Sequence, residues 1–244
     1  MIGAMRTDGR PNDALRPIKI TRRFTQAPAG SVLWEQGKTI VLATCSIVSG
    51  VPAWFSAERR GGWVTANYIM LPGSTPRRKD WPRTGHTDSR GTEIERLIGR
   101  CLRAGVDLTK IGPNTLTIDC QILQADGGTR TAAICAGYVA LVDALAKLEP
   151  RPKQSEGVPV RPWNFGVEGQ QPSADAAAAG AEDYDPARAI VDPIAAVSVG
   201  VVDGEVRLDL DYVDDVRAAV DMNIAYTGGE VRGGAGVGRE RQRL

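Results

Sequence analysis

The chain has 244 residues, of which 42% are hydrophobic and 24% charged, a balance that suits a soluble globular protein with a sizeable core and no need of staples. A net charge of +1 gives no global reason to expect a nucleic-acid coat protein or a membrane-surface protein. The polar N-terminus does not read as a signal peptide and no apolar run nears about 18 residues, so the expectation is a cytoplasmic protein with no membrane partner.

Residues 17–24, 31–35 and 39–48 read as strands; the third, Thr39 to Val48, is β-branched and mostly apolar. Residues 63–70 (Trp-Val-Thr-Ala-Asn-Tyr-Ile-Met) read as another, followed by a polar loop over 72–91 that contains Pro, Arg and the sole histidine, His86. Thr92 and Glu95 have capping-box spacing and predict a helix start. Its apolar residues Ile94, Leu97, Ile98, Cys101 and Leu102 follow i, i+3, i+4, i+7, i+8 and form one face. Arg96, Arg100 and Arg103 line a second face, which is either a solvated stripe or a contact with a subunit or an RNA backbone.

Residues 115–124 alternate as a half-buried strand, with Leu116, Ile118, Cys120 and Ile122 on one side and Thr117, Asp119 and Gln121 on the other. The strand feeds Ala125-Asp126-Gly127-Gly128-Thr129-Arg130-Thr131, and residues 131–148 then predict a helix apolar nearly all round. Residues 150–189, rich in proline and carrying Trp163 and Phe165 as possible surface anchors, read as a poorly ordered insertion. Strand patterns return at 194–202, across an Asp203-Gly204 hairpin turn, and at 206–212, where Val206, Leu208, Leu210 and Tyr212 alternate with Arg207, Asp209 and Asp211. A last strand at 221–226 precedes a Gly/Arg tail over 228–244. Strands, two long helices and strands again predict a single α+β domain with a mixed or antiparallel sheet.

The cysteines Cys45, Cys101, Cys120 and Cys135 form no CxxC pair, fall in apolar segments and read as small core residues rather than zinc ligands. Lysine occurs only at 19, 38, 79, 110, 147 and 153. The arginine excess suits bidentate phosphate recognition and equally follows from a GC-rich genome. Three features carry chemistry. Paired glycines before a helix let the backbone come close to a ligand, and the helix start offers unpaired N–H groups to an anion; the same turn also occurs as a generic strand–helix connection. Arg90 stands at the entrance of the first helix, where a guanidinium either faces solvent or meets that anion. Asp211, Asp214, Asp215 and Asp221 cluster about a short turn between two strands, where carboxylates either keep a loop soluble, hold Mg²⁺ or serve as general acid or base. Together they form a kit for phosphoryl chemistry.

The residues then resemble one family. Arg6-Thr7-Asp8-Gly9-Arg10, Leu15-Arg16-Pro17-Ile18, Gly62-Trp63-Val64-Thr65-Ala66, Met70-Leu71-Pro72, Glu93 to Arg100, Gln124 to Thr131, Ala195 to Gly200 and Asp221-Met222-Asn223 resemble the ribonuclease PH family of phosphorolytic exoribonucleases. The resemblance spans roughly 6–148 and 190–228. It implies the ribosomal-protein-S5-domain-2-like βαβα fold, with a mixed sheet packed on helices. It also implies phosphate binding by Arg90, Gly128, Thr129 and Arg130, and catalytic, metal-associated roles for Asp215 and Asp221. The implied reaction is phosphorolysis: inorganic phosphate is the co-substrate, Mg²⁺ the cofactor, and nucleoside diphosphates leave the 3′ ends of tRNA precursors and other RNAs. Homo-oligomers of the family are hexamers, trimers of dimers.

The sequence departs from the family pattern at several places. Gly73 stands where Arg usually follows Met-Leu-Pro, with Arg77 and Arg78 nearby; Gln121 replaces the usual Asp; Val216 and Arg217 replace small polar residues beside Asp215. The connection at 150–189 is longer than the family's, and the Gly/Arg tail takes the place of a final helical segment. The alternative reading is therefore a catalytically weakened RNA-binding or structural ring subunit. A hydrolytic nuclease, acting without phosphate, is a third.

Overall fold

The computed structural model describes residues 6–55, 61–81, 89–148 and 185–228, together with the backbone of 230–238. Strands β1 (Ile18–Arg22), β2 (Gly30–Gln36), β3 (Thr39–Ser49), β4 (Trp63–Met70) and β5 (Asn114–Gln124) form one sheet in the order β1-β2-β3-β5-β4. All neighbours are antiparallel except β4 and β5, which run parallel. A parallel pair needs a crossover, and helix α1 (Ser89–Ala104) supplies it. With α2 (Thr129–Leu145) following β5, the run β4–α1–β5–α2 is the expected βαβα order. The second sheet is antiparallel, in the order β7-β6-β8-β9. It comprises β6 (Ile194–Val202), β7 (Glu205–Leu208), β8 (Val220–Thr227) and β9 (Glu230–Gly238), with helix α3 (Tyr212–Arg217) between β7 and β8.

Helix α2 packs on β2, β3 and β5 of the first sheet and on β6 of the second, which explains why its sequence is apolar nearly all round. At the second interface the backbone N–H of Ala196 donates to Cys135 Sγ at 3.2 Å. The alternation read in β5 is realised: Leu116, Ile118, Cys120 and Ile122 are buried against the helices, each large aliphatic contributing about 1.5–3 kcal/mol. On α1, Ile94, Ile98, Cys101 and Leu102 are buried on the predicted face.

Several local readings are corrected. Thr92 lies inside α1 rather than at its cap, because the helix already runs from Ser89; Glu95 accepts instead from the backbone N–H of Tyr68 at 3.2 Å. The arginine face divides: Arg96 and Arg100 are exposed, whereas Arg103 stacks 4.4 Å from the Trp63 ring centroid and donates to the Val64 carbonyl at 2.8 Å. Helix α2 begins at Thr129, two residues earlier than expected, since Gly128 takes the left-handed cap conformation.

The strand expected over 206–212 ends at Leu208. Its polar residues Arg207, Asp209 and Asp211 are buried together with Leu210, while Val206 is 67% exposed. The reason is ionic, as the pairs formed by Arg207 and Asp209 neutralise charges that would otherwise forbid burial. Residues 230–238 of the Gly/Arg tail form β9, paired antiparallel with β8. Most of the expected insertion, including Trp163 and Phe165, lies outside the described residues, as does His86. Its last residues, 185–189, are ordered: Asp185 caps a short 3₁₀ turn, and the Ala189 carbonyl accepts from Asp107 N–H at 2.7 Å. Among the described residues, no helix is long and apolar enough to cross a membrane.

Candidate active site

The end of β5 turns into α2 through Gly127 and Gly128, with φ of +73° and +63°, values that suit glycine. The space is as restrictive as the torsions. A Cβ on Gly127 would stand 2.5 Å from the Leu210 carbonyl oxygen and from the Asp211 carbonyl carbon, so this glycine seats the loop directly on the chain entering α3. Two of the loop's carbonyls are engaged by side chains from outside α2. Arg16 Nη1 donates to the Asp126 carbonyl at 2.5 Å, and Thr39 Oγ1 to the Gly127 carbonyl at 2.7 Å. No side chain caps α2 at Gly128. The first N–H groups of a helix have no intrahelical partners, and here they carry the positive end of the macrodipole to an uncapped turn.

Side chains complete a cradle around that turn. Tyr68, from β4, donates its hydroxyl to Thr129 Oγ1 at 2.9 Å. Burial pushes the Tyr68 phenol above its ordinary value, while the bond to Thr129 and the charges of Arg90 and Arg130 pull the other way. The phenol therefore stays a hydrogen-bond donor at neutral pH, leaving the Thr129 hydroxyl proton to point at a guest. Arg130 donates from Nη2 to Glu93 Oε2 at 3.1 Å, and its Nε is buried without a hydrogen-bond partner. Arg90 lies in the first turn of α1, close enough to Tyr68 to act on its ionisation. The fold thus links Thr129 and Arg130 of α2 to Tyr68 of β4 and Glu93 of α1, with Gly128 as the cap and Arg90, exposed in the first turn of α1, within electrostatic reach of Tyr68.

The acidic residues separate into two kinds. Asp211 caps α3, its Oδ1 accepting from Asp214 N–H at 2.8 Å. Asp214 is buried between Arg207 Nη1 at 2.6 Å and Arg6 Nη2 at 3.0 Å. Both are committed to structure. Asp215 and Asp221 are half-buried; Asp215 sits on α3 and Asp221 on β8, opposite Gly200 of β6. Among the described residues no group of three or more His, Cys, Asp or Glu could hold a metal ion. Two carboxylates at a helix–strand turn are nevertheless a donor set that fits Mg²⁺, which keeps waters and substrate phosphate oxygens in its shell rather than demanding an all-protein cage.

The profile of the 3′ exoribonuclease family, domain 1, matches residues 14–147, the stretch from Arg16 through the cradle to the end of α2. Ribonuclease PH of Mycobacterium sp. (strain KMS) is 48% identical over 223 residues, 91% of this chain and 74% of that protein. The chain belongs to the ribonuclease PH family. Ribonuclease PH of Rhodopirellula baltica is 46% identical over 220 residues, covering 90% of this chain and 78% of that one. Among solved structures, an Archaeoglobus fulgidus exosome with RNA bound to the active site superposes with a TM-score of 0.70 at 20% identity, covering 98% of this chain and 84% of that chain; at that identity the likeness is one of fold. Members of the ribonuclease PH family are phosphate-dependent 3′ exoribonucleases.

Reading the sequence alone overlooked Tyr68, Glu93 and Arg16 as parts of the site. Tyr68 carried a faint signal, a phenol on the buried side of a strand, where a hydroxyl needs a partner. Arg16 carried none, because its partners lie more than a hundred residues away.

Proposed function

We propose that the chain is a phosphate-dependent 3′→5′ exoribonuclease whose α2 cradle holds the attacking inorganic phosphate. The observation that carries this reading is the uncapped start of α2, with two guanidinium groups beside it and the Arg130 Nε left without a partner. An oxyanion with three or four acceptor oxygens satisfies these donors together. Loop N–H groups and the Thr129 hydroxyl bind it from the helix side, Arg90 and Arg130 from the other. Glu93 fixes the Arg130 fork so that the guanidinium is oriented before the guest arrives.

In the reaction a phosphate oxygen bonds to the phosphorus of the terminal phosphodiester, and the bond from that phosphorus to the 3′-oxygen of the preceding nucleotide breaks. Asp215 passes to the departing oxygen the proton that the attacking hydrogen phosphate gives up. The products are a nucleoside diphosphate and an RNA one nucleotide shorter. Asp221 would hold Mg²⁺, which when bound offsets charge on the scissile phosphate, leaving Asp215 to the proton. The substrates in this reading are the 3′ ends of tRNA precursors and other RNAs, met in the cytoplasm by a homo-hexamer.

Labelled tRNA with a 3′ extension, incubated with and without phosphate, tests the reading. Nucleoside diphosphates should appear only with phosphate, and Arg130→Ala should lower the rate on the order of 10²- to 10³-fold, as removal of a charge-stabilising donor does. Nucleoside monophosphates released equally without phosphate would sink it in favour of hydrolysis. RNA binding without turnover would sink it in favour of a non-catalytic ring subunit.

A further inference from the structure

The two halves of the proposed site lie on different sheets: the cradle ends β5, and the aspartates flank the α3–β8 turn. One buried side chain ties the cradle loop to the segment that leads into α3. Arg16, 4% exposed, donates from Nη1 to the Asp126 carbonyl at 2.5 Å and from Nη2 to the Gly127 carbonyl at 3.4 Å. The same guanidinium grips Asp209 bidentately, Nε to Oδ2 at 3.1 Å and Nη2 to Oδ1 at 2.7 Å, and the Arg16 backbone N–H adds a bond to Oδ2 at 2.7 Å. Asp209 is fully buried and lies two residues before the α3 cap, Asp211.

Asp209 is held in a conformation it would not choose. Its φ is +54°, a left-handed value costing a non-glycine residue about 1–2 kcal/mol. The surroundings over-determine it. Its carbonyl accepts from Arg6 Nη2 at 2.8 Å and Arg10 Nη2 at 3.1 Å, and its N–H donates to the Ser198 carbonyl at 2.6 Å. Ser198 Oγ accepts from the next N–H, that of Leu210, at 3.0 Å. Strain retained inside so many bonds marks a place where the chain must turn in one way only. That turn delivers Leu210 and Asp211 to the surface on which Gly127 sits.

We propose that Arg16 and Asp209 act as a positioning clamp, setting the phosphate loop at a fixed separation from the Asp215-bearing helix. The clamp rests on the reading of the cradle as the phosphate site. Its consequence is geometric: phosphate attack and departure of the 3′-oxygen need both groups aligned on one phosphorus, and an ångström of misplacement costs up to about a hundredfold in rate. Lysine at 16 keeps the charge and loses the fork that reaches a carboxylate and two carbonyls at once.

The test compares Arg16→Lys, Asp209→Asn and the double variant with Asp143→Asn, which breaks another arginine–aspartate pair, Arg22–Asp143, away from the site. Phosphorolysis is measured per folded molecule, well below each variant's melting temperature. The clamp predicts a kcat roughly ten- to a hundredfold lower for Arg16→Lys and Asp209→Asn with the RNA KM within about twofold, and a double variant no worse than the poorer single one. Asp143→Asn should lower the melting temperature and leave kcat unchanged. If Arg16→Lys does not fold, the milder Asp209→Asn decides alone. Variants that lose stability but keep full kcat per folded molecule overturn the clamp. A wild-type protein without phosphate-dependent turnover would instead overturn the functional reading beneath it.

Discussion

Gly127→Ala is the sharpest probe of how the cradle is seated, because the structure supplies its own control. Both Gly127 and Gly204 have left-handed φ, +73° and +84°. An alanine at either position pays the same torsional cost, about 1–2 kcal/mol. They differ in space. Nothing lies within 4 Å of a Cβ at Gly204, in the β6–β7 hairpin, whereas at Gly127 it meets the Leu210 oxygen and the Asp211 carbon at 2.5 Å. Those are backbone atoms, so no rotamer change relieves the overlap, and forced overpacking adds about 1–3 kcal/mol. Gly204→Ala should therefore lose about 1–2 kcal/mol, and Gly127→Ala about 2–5 kcal/mol. Urea unfolding resolves the difference: with m about 1–3 kcal/mol/M, the midpoints should part by on the order of 1 M. The phosphorolysis rate per folded molecule should be retained in Gly204→Ala and lost in Gly127→Ala, since the loop must move off residues 210–211. Equal midpoints for the two variants would refute the close seating, and a destabilised but fully active Gly127→Ala would refute its part in phosphate binding.

Three further outcomes are expected. Tyr68→Phe removes the hydroxyl bonded to Thr129 Oγ1, and the phosphate KM should rise roughly fivefold, the equivalent of about 1 kcal/mol; an unchanged phosphate KM counts against the relay. At Asp209 burial raises the carboxyl, but the hydrogen bonds and charge of Arg16 outweigh it and hold the group below its ordinary 3.8. Its stabilising contribution is thus complete above that value and is lost as pH falls through the lowered one. Asp209→Asn should flatten the acid limb of a stability–pH curve below about pH 5, and an equally steep limb in the variant would show that other carboxylates set it. Burial pushes the Cys45 thiol up to about 12 and the Cys135 thiol to about 11, and it also raises Cys101 and Cys120. The native protein should accordingly resist a thiol-specific reagent at pH 8 and react at all four positions in denaturant; rapid labelling of the native state would contradict the packing.

The parts of the molecule legible in the sequence are those whose cause is local. The alternation of β5 follows from a pleat that sends Leu116, Ile118, Cys120 and Ile122 to one face. The glycine pair at the head of α2 was readable as a close-approach turn, because φ above zero and the lack of a side chain are properties of single residues. Arg90 at a helix start and the acidic cluster about a turn were candidates by residue type and position, and resemblance to a family singled out the aspartates at 215 and 221. What remained hidden was decided by partners far along the chain. Residues 206–212 alternate in the sequence as if Val206 faced inward, yet the fold buries Arg207 and Asp209, because Arg10, Arg16 and Asp214 are there to neutralise them. The spacing of Thr92 and Glu95 promised a cap, but α1 starts earlier and the Glu95 carboxylate is taken by β4. Local chemistry determined that a helix start led by two glycines and a cluster of carboxylates exist. Only the tertiary structure decided that Gly127 seats on Leu210 and Asp211 and that Arg16 ties the loop to Asp209, since a charge can be buried, and a loop seated on a distant turn, only after the whole chain has brought its partner into place.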